Sequence, residues 1–132
     1  MKNHFSYASL EKNGDGFKII VSSYQDERRK RFAVAQELGH LFLHMGYKTN
    51  AEIWEKQADK VPFQEKDPEK VRQANEFAAA LLMPRYIFFL TLEAASDIAE
   101  SGKRTIHMQA VADFFNVSLS AAYTRAKIFG II

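Results

Sequence analysis

Apolar positions along the chain change their period several times, and each change marks an element. In "HFSYASLEKNGDGFKIIVSS" two short apolar stretches, Phe5–Leu10 and Phe17–Ser22, flank an Asn-Gly-Asp-Gly turn. That pattern predicts an antiparallel hairpin. From Asp26 the spacing becomes helical, with Phe32, Ala35, Leu38, Leu41 and Phe42 recurring at steps of three and four and Gly46 placed as a C-cap. Residues 47–66 are polar and mixed and read as a loop, with a short helix over Ala51–Asp59. "DPEKVRQANEFAAALLMP" predicts a helix with Asp67 as N-cap, Pro68 in the first helical position and Pro84 as the stop. Phe77, Leu81 and Leu82 are its expected core positions. Another helix is expected after Pro84. The tail predicts two short helices broken at Asn116-Val117-Ser118, an arrangement like a helix-turn-helix.

The sum is an α+β fold with a small N-terminal antiparallel sheet and a mainly helical body. The chain has 132 residues, which suits one domain with a modest core. The expected division is a core over residues 1 to about 100 and a helical C-terminal region over about 101–132. Net charge is only +2, so nothing like a basic excess argues for nucleic acid. The second tail helix, with Tyr123, Arg125 and Lys127, offers few side chains suited to reading bases, so DNA binding is not expected. Absence of cysteine removes disulfides and thiolate metal sites and fits a cytoplasmic protein. The first residues lack the apolar core of a signal peptide, and "YIFFLTL" is too short to cross a bilayer. Eleven phenylalanines raise the expectation of an exposed apolar docking patch, with Phe88 and Tyr123 as candidates, while the cluster Tyr86, Phe88 and Phe89 reads as either core or interface. His4 and His107 stand in no pattern and are expected on the surface.

Chemistry concentrates in "RFAVAQELGHLFLH", Arg31 to His44. Residues four apart share a helix face, so an H-E-x-x-H helix chelates zinc through two imidazoles while its glutamate acts as general base. Here Glu37 and His40 are in place, and Gln36 stands where the first histidine belongs. A neutral amide oxygen is a poor zinc donor beside imidazole nitrogen.

Together, "RFAVAQELGHLFLH" and "QANEFAAALLMP" resemble the ImmA/IrrE metallopeptidases, whose pattern runs R-F-x-x-A-H-E-x-x-H-x-x-x-H and then E-x-x-A-N-x-F-A-x-x-L-L-M-P. The strand "GFKIIVSS" and the helical tail extend the resemblance over most of the chain from about residue 15. It implies a zincin-like metal helix, Glu37 as catalytic base if the protein is active, and His40 as a zinc ligand. The family's first ligand falls on Gln36 and its glutamate ligand on Val71, with Gln73 at a position where some members carry a second glutamate. His44 and either Glu69 or Glu76 are the residues from which a ligand set could be rebuilt. Zinc is therefore expected to be absent or weakly bound. Enzymes resembling this family cut helix-turn-helix repressors of phages and mobile elements. The expectation here is a degenerate member that binds a repressor or antitoxin without cutting it. The alternative is a zinc peptidase with an altered ligand set. Partner identity and oligomeric state are not readable from the sequence.

Overall fold

A computed structural model describes residues 8–23 and 26–132. His4, and the beginning of the strand expected over Phe5–Leu10, lie outside the described residues. The elements run β1 (Ala8–Asn13), β2 (Gly16–Val21), α1 (Glu27–Leu43), α2 (Ala51–Glu55), α3 (Pro68–Leu82), α4 (Arg85–Ala94), β3 (Ser96–Ile98), β4 (Arg104–Ile106), α5 (Met108–Phe115) and α6 (Leu119–Ile128). The fold is α+β, with two small antiparallel sheets among mostly helical structure. Among the described residues no single helix is long and apolar enough to cross a membrane.

The chain divides into two compact units, Met1–Ala78 and Ala79–Ile132. This division differs from the expected one near residue 100, placing α4 and the second hairpin with the C-terminal helices. In the first unit β1 and β2 pair antiparallel, Ala8 opposite Val21 through Asn13 opposite Gly16. Two backbone bonds, Lys60 N–H to the Lys12 carbonyl and Phe63 N–H to the Leu10 carbonyl, each 2.7 Å, lay the 59–63 segment along the other side of β1. Leu10, Leu41 and Met45 are buried at the centre of this unit, with Ile19, Leu38, Tyr47, Trp54 and Phe63 packed around them.

Helix α1 starts where Asp26 accepts a hydrogen bond from the Arg28 amide. Its cap at the other end is His44 rather than the expected Gly46. Gly46 lies two residues on, with φ +81°, and a Cβ there would stand 2.6 Å from the Asn50 carbonyl oxygen. That turn admits only glycine. α3 begins as expected at Pro68, with Asp67 Oδ1 accepting from the Glu69 amide at 3.0 Å. Its buried positions are the small Ala74 and Ala78, and Leu81 is 50% exposed. Of the expected core positions, Phe77 and Leu82 are half-buried and only Leu81 faces outward; the fully buried positions go to alanine because α3 packs at close range, where a larger side chain does not fit.

In the second unit Phe88, Val111, Ala112, Val117, Ala122 and Ala126 are fully buried. Phe88 packs against Phe115 and Phe129 with ring centroids 5.7 and 6.0 Å apart. Phe88 is thus a core residue rather than part of a docking patch, whereas Tyr86 on the same helix is 74% exposed. α5 and α6 meet at Asn116, which takes the left-handed conformation with φ 56°. Ser118 then caps α6 by accepting from the Ala121 amide. The β3–β4 hairpin has no counterpart in the sequence expectation. His107 lies on the surface as expected, its Nε2 2.6 Å from Asp97 Oδ2.

Candidate metal helix and its amide network

Gly39, in the middle of α1, sets the position of α3. A Cβ on Gly39 would fall 3.0 Å from Ala74 Cα, 3.1 Å from Phe77 Cβ and 3.2 Å from the Ala74 carbonyl oxygen. The two backbones therefore touch at Gly39 and Ala74. Residues on either side of that contact are brought face to face: Gln36 and His40 from α1, and Gln73 and Asn75 from α3.

Their side chains are tied to one another. Gln36 Nε2 donates a hydrogen bond to Asn75 Oδ1. His44 Nε2 lies 2.9 Å from Gln73 Oε1, and His44 Nδ1 lies 2.9 Å from His40 Nδ1. An amide oxygen can only accept, so His44 must carry its proton on Nε2. The Nδ1 of a neutral His44 is then an acceptor, and His40 must donate from its own Nδ1. This leaves the lone pair of His40 on Nε2. A metal-binding histidine has the same arrangement, with one nitrogen held by an acceptor and the other free to ligate. Burial lowers the His40 pKa first of all, His44 adds to the effect and Glu65 opposes it. The ring also lies against Phe63, with centroids 5.5 Å apart.

Glu37 is partly buried, and desolvation raises its carboxyl to about pKa 7. A carboxyl with that value exchanges a proton near neutral pH, as a general base requires.

The candidate ligands on α3 lie differently. Glu69 accepts a 2.9 Å bond from Arg72 Nε and reaches the histidines only through a long 3.5 Å contact with Gln73. The arginine bond is the main reason its carboxyl sits below the usual range. Glu76 is ion-paired with the same Arg72. Val71 stands one turn before Asn75 on the same side of α3 and carries no donor. Among the described residues, no group of three or more His, Asp or Glu side chains is placed to hold a metal ion. At the ligand positions that the family resemblance implies, α1 and α3 offer the His40 imidazole, the neutral amide of Gln36 and the side chain of Val71, which has no donor. Catalytic zinc sites use three protein ligands of imidazole, thiolate or carboxylate type, so this set does not fit zinc. Asn75, Phe63 and Glu65 were not anticipated as neighbours of the site. For Asn75 a signal existed, since it is a polar residue on the ligand face of α3, close to the buried Ala74.

Helix α1 carries Glu37 and His40 three residues apart, the spacing of the last two functional positions of an H-E-x-x-H motif, as in a metallopeptidase-like protein. The sequence matches the IrrE N-terminal-like domain family over residues 2–127, and the chain belongs to that family. No curated protein matches the chain.

Proposed function

We propose that the protein is a degenerate ImmA/IrrE-like member that captures a regulatory protein, of the repressor or antitoxin kind, without cutting it. The Gln36–Asn75 hydrogen bond carries this reading. The residue at the first ligand position commits its amide nitrogen to Asn75 of α3, and the neutral oxygen that remains is a poor zinc donor beside an imidazole nitrogen. Gln73 binds His44, and Val71 offers nothing to a cation. Amides at these places hold α1 and α3 together by hydrogen bonds, so the fold keeps its shape without a metal to brace it. Localisation in the cytoplasm, where such regulators act, belongs to the same proposal.

The second reading, a peptidase with an altered ligand set, draws support from Glu37, whose carboxyl near pKa 7 retains the character of a base. The two readings part in one experiment. Protein purified without chelators or a metal-affinity tag is assayed for zinc by mass spectrometry, and Glu37→Gln is compared with wild type for repressor or antitoxin capture and for cleavage. Capture unchanged by the substitution, with zinc far below one per chain, is the expected result. Stoichiometric zinc, with cleavage lost in the variant, would overturn the first reading in favour of the second.

A further inference from the structure

The two edges of the β1–β2 sheet differ. In an antiparallel pair, directly opposite residues either exchange both backbone hydrogen bonds or exchange none, and the two kinds alternate. The carbonyls of Lys12 and Leu10 accept from the Lys60 and Phe63 amides, so they point away from β2. Phe17 and Ile19, which stand opposite Lys12 and Leu10, therefore turn their own N–H and C=O groups away from β1. Alternation extends this to Val21, opposite Ala8. The 59–63 segment thus closes the β1 edge. At the β2 edge the outward backbone groups of Phe17, Ile19 and Val21 have no hydrogen-bond partner among the described residues.

β2 also lacks the devices that commonly protect an open edge. It contains no proline, and its register with β1 runs unbroken from Gly16 to Val21, without a bulge. Phe17, Ile20 and Val21 are exposed, in a stretch, "GFKIIV", whose aromatic and β-branched residues favour strand pairing. Lys18 is its one charge.

That lysine selects the occupant. Two copies of β2 laid antiparallel about a two-fold axis at Ile19 set Phe17 opposite Val21 of the second copy, and Ile19 opposite Ile19. Every outward N–H and C=O of β2 then meets its complement. Lys18 falls opposite Ile20 of the second copy, so its aliphatic stem covers an exposed apolar side chain and no like charges meet. An axis at Lys18 would put two lysines face to face, which is destabilising. An axis at Ile20 would leave Phe17 beyond the end of the second β2. Charge and strand length therefore favour the same self-complementary register.

We propose that β2 is a dimerisation edge, through which two copies of this chain join by antiparallel β2–β2 pairing centred on Ile19. The product is one continuous sheet whose outer edges are both closed by the 59–63 segments. A contact that uses the same patch on both copies closes on itself and stops at two. It uses none of the residues in the Gln36–Asn75 and His44–Gln73 contacts, so it stands whether or not the protein binds metal.

Sedimentation of the full-length protein over a range of concentrations tests this, with amide hydrogen exchange read residue by residue at both ends of the range. The expected result is a reversible dimer in which the amides of Phe17, Ile19 and Val21 become protected as it forms. The amides of Lys18 and Ile20 bond to β1 and should be protected throughout. Two substitutions at the exposed Ile20 test the register, with circular dichroism to check the fold. Ile20→Glu sets a carboxylate opposite Lys18 of the second copy, and Ile20→Lys sets a second ammonium there. Each contact occurs twice in the dimer, so the lysine variant should have a dissociation constant about tenfold above that of the glutamate variant. A chain that stays monomeric at millimolar concentration overturns the proposal. So does a dimer whose edge amides remain unprotected, since another surface would then hold it together. Equal dissociation of the two Ile20 variants overturns the register and with it the proposal. Protection of the edge amides in the monomer does the same, by showing that the edge is covered within one chain.

Discussion

His44 Nε2 stands 2.9 Å from Gln73 Oε1, and through that single contact the protonation of two histidines is fixed. The Oε1 of Gln73 can only accept, so His44 must donate to it, and His40 must in turn donate to a neutral His44. An amide on α3 thus determines which nitrogen of His40 is free. Replacing Gln73 by leucine should release the pair. Both imidazoles should then sample two tautomers, detectable as a change in their ring nitrogen shifts by NMR, with the helices intact by circular dichroism. Unchanged shifts would show that the tautomers are held by something other than Gln73.

Repair of the ligand set is the direct test of degeneracy. Gln36→His combined with Val71→Glu is expected to bind zinc at least ten times more tightly than either single change, because only the pair provides three ionisable or imidazole donors with His40. Val71 is chosen because it shares a face of α3 with Asn75, the residue that now holds Gln36. Zinc titration by calorimetry gives the comparison. If Gln36→His with Gln73→Glu binds and the Val71 pair does not, the third ligand belongs on the face that meets His44.

Glu37 predicts a pH dependence of stability. Its carboxyl is raised from 4.5 to about 7 in the folded protein, so folding is unhindered by this group while it is protonated in both states. The cost appears as pH rises past the unfolded value of 4.5 and is complete above about 7. Allowing for the solvent that still reaches the carboxyl, the loss is about 1–2 kcal/mol. Glu37→Gln should remove that loss, so urea unfolding at pH 8 should show the variant more stable than wild type and at pH 4 about equal to it. A variant less stable at pH 8 would mean the charged carboxylate is compensated by a partner.

Gly39→Ala should separate packing from helix propensity. Alanine is the better helix former by about 1 kcal/mol, yet its methyl would meet the Ala74 backbone at 3.0 Å. Backbone cannot turn aside as a side chain can, so a net destabilisation of about 1–3 kcal/mol is expected. Denaturant midpoints measure it. A net gain would show that α1 and α3 have room to separate.

In the second unit, Phe88→Ala should cost about 3–5 kcal/mol because its ring is fully buried. Tyr86→Ala, at a position 74% exposed, should stay within about 0.5 kcal/mol of wild type. Equal losses at the two positions would contradict the packing of α4. The contrast also determines which aromatic substitutions are fair probes of partner capture: Tyr86 and Tyr123 qualify, and Phe88 does not.

Much of the main chain was legible because its signals are local. Asp67-Pro68 starts α3, Pro84 ends it, and Asn116-Val117-Ser118 separates α5 from α6, each through chemistry confined to two or three residues. β3 and β4 were not legible, since three-residue strands are too short to show an alternating pattern. Within the site, Gln36, Glu37 and His40 followed from one helix and its spacing. The pairing of Gln36 with Asn75 and of His44 with Gln73 depends on where two helices cross, and no period within either helix records that. A mid-helix glycine was the one trace of it. Gly39 costs helix stability and so needs a packing reason, which the Ala74 contact supplies.

The 59–63 segment bonds to β1 at Lys12 and Leu10 and sets the Phe63 ring against His40. One short stretch therefore has two duties. It occupies strand positions that would otherwise be open to pairing with a foreign chain, and it shields an imidazole from water. A protease nicking the chain between Asp59 and Phe63 would undo both at once. The clipped protein should become prone to self-association and, in the same event, let solvent into the metal helix, so that damage to this loop would register as aggregation and as a changed histidine environment together.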